Sequence, residues 1–153
     1  MRIKQLGPLF QKHQQRWYVC ALAITKNRQL AEDAVHEALL AVAETPAEPD
    51  NLVAYVYRAV RNQALRLRQQ SMRHQSTWTE VIDWQQADPA LRHQQQTVLQ
   101  LMSQLSEAEQ QLLVMKAIGG LTFKEIALSS NQSINTVASR YRRAIEKLQE
   151  STP

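Results

Sequence analysis

The 153-residue chain has only three glycines, five prolines and one cysteine. So few backbone breakers, set among many Gln, Ala and Leu and few β-branched runs, argue against sheet and predict an all-α chain. The lone Cys20 excludes an intrachain disulfide, and its place on an apolar helical stripe makes it a core residue. His13, His36, His74 and His93 have no metal-ligand spacing with one another or with Cys20, so no metal is expected. The chain has no Ser/His/Asp set and no glycine-rich phosphate loop, which argues against an enzyme and implies no cofactor. The longest uncharged apolar run, Trp17 to Ile24, is far too short to span a membrane, and no apolar leader follows Arg2 and Lys4. These features lead us to expect a cytoplasmic protein without membrane insertion.

Acidic residues are also scarce, with 18 Lys and Arg against 14 Asp and Glu and a net charge of +4. The imbalance is local: residues 1–76 hold 11 basic and 6 acidic groups, whereas residues 98–153 hold 6 and 5. Its sharpest patch is Arg58, Arg61, Arg66, Arg68 and Arg73, with no acid between them, a pattern that favours a polyanion such as nucleic acid.

Taken in order, Pro8 is suited to opening a first helix, whose stripe is Phe10, Trp17, Cys20, Ala21 and Ile24, ending at the polar break Thr25-Lys-Asn-Arg28. Leu30, Ala31, Ala34, Val35, Ala38, Leu39 and Val42 mark a second helix, and Glu32, Asp33, His36, Glu37 and Glu44 form its other face. After the proline-bracketed loop Thr45 to Asp50, Asp50 is the expected cap of a third helix. Its inward residues are Leu52, Tyr55, Val56, Ala59, Val60, Ala64 and Leu67. Tyr55 and Tyr57 stand just before Arg58, Arg61 and Asn62, placing rings beside cations as single-stranded nucleic-acid sites do.

Helical periodicity fades from Gln75 to Ala87, a linker by composition, although Trp78 and Trp84 predict that it is anchored against something. Asp88-Pro89 then starts a helix that runs through Leu91, Val98, Leu101, Met102 and Leu105. Ser106 with Glu109 forms a capping box for another helix, which Gly119-Gly120 ends. The expected organisation is a helical domain over 1–74, a linker over 75–87 and a second helical domain over 88–153.

The most informative stretch runs from Thr122 to Arg143. Thr122 and Glu125 form a capping box, Phe123, Ile126 and Ala127 share one face, and Ser129 to Gln132 favour a turn in which Asn131 takes the left-handed conformation. Ser133 caps the next helix, in which Ile134, Val137, Tyr141, Ile145 and Leu148 are expected inward. That leaves Asn135, Thr136, Ser139, Arg140, Arg142 and Arg143 outward or flanking. Short polar residues followed by arginines suit a helix entering a major groove, where Arg reads guanine and Asn reads adenine. A small helical hairpin with a solvated basic face is the plainer alternative.

Four segments, in order, carry a family resemblance. Leu30-Ala-Glu-Asp-Ala-Val-His-Glu-Ala-Leu-Leu40 resembles the AEDxxQExFL signature of bacterial RNA polymerase sigma factors of the extracytoplasmic-function (ECF) group. Ala54-Tyr-Val-Tyr-Arg-Ala-Val-Arg-Asn62 is similar to that group's AWLYRIARN segment. Gly120-Leu-Thr-Phe-Lys-Glu-Ile-Ala127 and Ser133-Ile-Asn-Thr-Val-Ala-Ser-Arg140 are similar to its GLSYEEIA and SxGTVxSR. The sequence departs from the pattern at His36 for the usual Gln, at Arg66 where Asp is common, at Ser129, Ser130 and Gln132 where apolar residues are frequent, and at Ala138 where Lys is.

The resemblance implies one helical domain that grips polymerase core and melts the −10 promoter element, and a second that reads the −35 element. It places Asp33, His36 and Glu37 on the face that docks on core. Asp50, Leu52, Tyr55, Arg58, Arg61 and Asn62 fall in the melting and single-strand site, and Asn135, Thr136, Ser139, Arg140, Arg142 and Arg143 on the upstream duplex. The implied partners are RNA polymerase core and promoter DNA, with an anti-sigma factor as a candidate third. A stand-alone helix-turn-helix regulator is the alternative, and it would need its own duplex affinity and a dimer surface that the sequence does not reveal.

Overall fold

The computed structural model describes residues 3–46, 51–71, 77–87 and 89–150, and among them there is helix and no strand. The N-terminal half is a three-helix bundle of α1 (Ile3–Thr25), α2 (Arg28–Glu44) and α3 (Leu52–Gln70). Helix α1 starts before Pro8 and carries it inside, so the proline does not open the helix as its residue type suggested. Leu6, at 7% exposure, packs into the core and holds the turn that precedes the proline. Asn27 caps α2 by accepting from Leu30 N at 3.0 Å. The cap of α3 is Asn51, which accepts from Ala54 N at 3.1 Å, one residue later than the expected Asp50; Asp50 itself lies outside the described residues.

The segment expected to be an irregular linker is built into the fold. A short helix α4 (Trp78–Val81) and a 3-10 turn (Trp84–Gln86) bury Trp78, Val81, Ile82, Trp84 and Ala87. Trp78 is fixed by Lys26 Nζ, 4.9 Å above its ring, and by its Nε1, which donates to Gln110 Oε1 at 3.1 Å. Gln110 in turn donates to the carbonyls of Met102 and Leu105, so a single amide ties the linker to the corner before the next helix.

The C-terminal half contains α5 (Pro89–His93), α6 (Gln95–Met102), α7 (Glu107–Leu113), a π turn (Val114–Ile118), α8 (Phe123–Ser130) and α9 (Ile134–Glu150). The single helix expected from residue 88 to 105 is broken at Gln94, which leaves helical geometry at φ −114°, ψ 29°. Both expected capping boxes are present, Ser106 with Glu109 and Thr122 with Glu125. The tail of α7 widens into the π turn, and Gly119 N closes it on Val114 O at 2.8 Å. Asn131 takes the left-handed conformation (φ 55°, ψ 43°), and Ser133 Oγ accepts from Thr136 N to start α9. The turn between α8 and α9 is therefore tight despite its polar composition, because Ser129 and Ser130 belong to α8 rather than to the turn.

A continuous core runs through both halves, from Trp17, Val56 and Tyr57 to Leu113, Leu121, Ile126, Val137 and Ala144. Gly119 marks a place where they approach closely. A Cβ there would lie 2.4 Å from Val19 Cγ1 and 3.0 Å from the carbonyl oxygen of Met115. Gly119→Ala should therefore act as an overpacking substitution costing about 1–3 kcal/mol. The check is the urea midpoint of the purified protein, and a midpoint equal to wild type would show that α1 and the C-terminal half do not press together at this residue.

Candidate functional site

Three groups of residues are expected to carry function, and the structure places their described members on three distinct elements, Asp50 lying outside the described residues. On α2, Asp33 is half-buried and accepts from Gln29 Nε2 at 3.0 Å, His36 is exposed, and Glu37 is paired with Arg66 of α3. Gln63 and Gln70 also accept from Arg66, so the arginine that departs from the family pattern ties down one member of the acidic face. His36 lines a cleft of about 850 Å³ with Phe10, Tyr18, Leu39 and Trp84. Phe10 is 38% exposed there and so is not the core residue that its stripe suggested.

On α3, Arg58 and Asn62 are exposed, Arg61 is half-buried, and Leu52 and Tyr55 are half-buried against the core. Tyr57, expected to stack beside the arginines, is instead fully buried. The stripe along α3 does not include it because its cover comes from other elements: His13 and Trp17 of α1 meet its ring edge-on and Glu125 of α8 accepts from its hydroxyl. The patch itself is divided. Arg66 is bound to Glu37 and Arg68 to Glu107 of α7, while Arg73 lies outside the described residues.

On α9, Asn135, Arg140, Arg142 and Arg143 are exposed and Thr136 and Ser139 half-buried. Val137 and Ala144 face the core, and Tyr141 meets Phe123 edge-on at 5.7 Å. Ile134, expected inward, is 49% exposed. It is the first residue of α9, so no preceding turn of that helix covers it. The outward set thus forms a polar and basic face beginning at a capped helix start, the form that enters a major groove.

Sequence reasoning missed the cluster that joins these groups. Glu125 was expected only to cap α8, which it does by accepting from Thr122 N at 2.8 Å through Oε1. Its other oxygen accepts from Tyr57 Oη at 3.1 Å and faces Arg16 Nε at 2.9 Å and His13 Nδ1 at 3.9 Å. The arginine contact is an ion pair without hydrogen-bond geometry at Nε. His13 stacks on Trp17 with centroids 5.6 Å apart, and its Nδ1 lies 3.3 Å from Tyr57 Oη. Beside this cluster Ser129 and Cys20 are buried and hydrogen-bonded, and burial pushes the Cys20 thiol up to about 12, so it is not a reactive thiolate at neutral pH. No local signal in the sequence pairs α1 with α8; the capping box and the family-like segment Gly120–Ala127 mark Glu125 without pointing to these partners.

Among the described residues no group of His, Cys, Asp and Glu could hold a metal ion, and no helix is long and apolar enough to cross a membrane. Two helical halves, one ending in a helix-turn-helix with a basic outer face, define a DNA-binding protein of the multi-helical class. Residues 9–74 match the family model described as Sigma-70 region 2, and residues 95–148 match the one described as Sigma-70, region 4. The chain belongs to the sigma-70 family of sigma factors, the proteins that act with RNA polymerase core and promoter DNA in promoter recognition and transcription initiation. No curated protein matches it significantly.

The Glu125 cluster sets a pH dependence. Burial holds His13 below its ordinary 6.5, with Lys12 and Arg16 reinforcing the effect and Glu125 opposing it. Because the folded value is depressed, its contribution to stability is complete above 6.5 and is lost as pH falls from there towards the folded value. Burial tends to raise Glu125, but the Thr122 amide, the Arg16 charge and Tyr57 outweigh it and hold the carboxylate below its usual 4.5. Its contribution is present above 4.5 and is lost only as pH falls through that lower value. Urea midpoints should therefore decline between pH 7 and 5 through His13. His13→Phe, which keeps a ring against Trp17, should flatten that decline, and an unchanged slope in the variant would refute the assignment.

Proposed function

We propose that the protein is a sigma factor of the ECF group, in which the α1–α3 half binds polymerase core and opens the −10 element and the α8–α9 unit reads the −35 duplex. The observation that carries this reading is the separation of two exposed sets onto two halves of one chain. Arg58 and Asn62 emerge from α3, and Asn135, Arg140, Arg142 and Arg143 emerge from α9. We take 1–74, 75–87 and 88–153 as the working units. Asp33, His36 and Glu37 form the core-docking face. Asp50, Leu52, Tyr55, Arg58, Arg61 and Asn62 form the single-strand site, where cations and an aromatic offset the few kcal/mol that base extrusion costs. Asn135, Thr136, Ser139, Arg140, Arg142 and Arg143 form the duplex reader, in which the Thr136 hydroxyl also completes the Ser133 cap at 2.8 Å. An anti-sigma factor is a proposed regulator of the same surfaces.

Docking on core requires Glu37 to leave Arg66. Both side chains are nearly half exposed, so that pair is worth no more than about 1 kcal/mol and does not obstruct docking. Replacing Asp33 and Glu37 together by Lys should weaken core binding while helicity by circular dichroism stays normal. Unchanged affinity for core would remove α2 from the docking surface.

The two DNA tasks separate in one transcription assay, on a matched promoter and on the same promoter with a pre-opened bubble across its −10 element. Asn62→Ala removes a donor and an acceptor from the single-strand site, and the bubble should restore much of its activity. Arg140→Ala should cost about 1–3 kcal/mol of discrimination if the guanidinium meets a guanine in two-pronged fashion, and the bubble should restore it much less. An identical response of the two variants would overturn the division of labour. A stand-alone regulator would instead shift promoter duplex in a gel without polymerase.

A further inference from the structure

The halves meet along a second cleft, of about 540 Å³, lined by Arg61 from α3 and by Arg140, Arg143 and Lys147 from α9. Its charges are not arranged like those elsewhere on the seam. Across the seam Arg16 faces Glu125 and Arg68 faces Glu107. In the cleft the carboxylate of Glu109 is occupied, because Lys147 Nζ donates to both its oxygens at 3.0 and 2.8 Å and Ser106 N donates to one of them. Among the described residues the ion pairs leave Arg61, Arg140 and Arg143 without an acidic partner. Three guanidiniums from two halves therefore line one concave space, where an anion would meet like charge from both sides of the seam. Leu112, Met115 and Ile126, each no more than 7% exposed, contribute apolar lining to the same cleft. Cationic side chains together with apolar lining are the complement of a planar base carrying several phosphates, and the volume is within the usual range of about 300–1,000 Å³ for small-ligand sites.

We infer that this cleft is a binding site for a nucleoside oligophosphate, held by Arg61 on one side and by Arg140 and Arg143 on the other. Because its cations come from both halves, the ligand favours the closed arrangement seen here over any in which the halves part. It also occupies arginines assigned above to promoter DNA, so ligand and promoter compete. That competition rests on the proposed function, whereas the binding does not.

The test is isothermal titration of the full chain with ATP, tripolyphosphate and adenosine at fixed ionic strength. ATP should bind once per chain and at least about tenfold more tightly than either fragment, since the cationic and the apolar lining both contribute. Arg61→Gln and Arg143→Gln should each weaken ATP by about tenfold, and Lys124→Gln, on the exposed side of α8 away from the cleft, should leave it unchanged. Glu125→Gln, which loosens the seam without lining the cleft, should also weaken ATP. Affinity that falls equally in Lys124→Gln, that survives Arg61→Gln, or that is matched by tripolyphosphate would overturn the site. Loss of the promoter reading would leave these titrations intact, and loss of the titrations would leave transcription from the matched promoter intact.

Discussion

One carboxylate organises the molecule. Glu125 spends one oxygen on the first turn of the helix-turn-helix and the other on the buried edge of α1 and α3, where Tyr57, Arg16 and His13 converge. A carboxylate in so poorly hydrated a place is stable only because every direction of its charge is met, and removing one partner would leave the rest uncompensated. The placement of α8 against the N-terminal bundle is consequently set by a polar cluster as well as by apolar contact. The interdigitated aromatics Trp17, Tyr57 and His13, and the buried Cys20 and Ser129, fit around it.

The closed arrangement bears on the promoter reading. The single-strand and duplex sets share a cleft through Arg61 and Arg140, whereas promoter elements read separately lie at least one helical turn of DNA, about 34 Å, apart. Under the proposed function, engaging both requires the halves to separate, and the contacts that would break differ in strength. The Arg68–Glu107 pair is partly exposed and contributes little, but the Glu125 cluster and the buried linker tryptophans are not solvent-screened in the same way. Thirteen linker residues could span about 45 Å when extended, so chain length does not limit the opening. What resists it is the burial of Val81, Ile82 and Trp84.

Much of the fold could be read from the sequence because it is written locally. Helical stripes, two capping boxes and the left-handed Asn131 act within a few residues of themselves, and these features stand where the pattern placed them. The misreadings share a different cause. Tyr57 is covered by residues of α1 and α8 far from it in sequence, Phe10 faces a cleft that the linker also lines, and Ile134 has no preceding turn, so local pattern alone misplaced all three. Pro8 sits inside α1 because Leu6 before it is anchored. The outward set on α9 was legible from its own helix, because exposure there depends on the stripe opposite. The second role of Glu125 was not, since a capping residue satisfies its local pattern whether or not anything lies beyond it.

The linker anchors have an optical corollary. The chain has three tryptophans, and all are buried at the junction: Trp17 at 0%, Trp78 at 8% and Trp84 at 7% exposure. Two of them lie on the segment between the halves, where Trp78 contacts Lys26 on one side and Gln110 on the other, and the third lies within the bundle. Indole emission moves to longer wavelength when the ring enters water, so the protein carries an unlabelled gauge of its own opening, with Trp17 as internal reference. Lys26, stacked over Trp78, adds a charged group whose departure would itself alter that ring's emission.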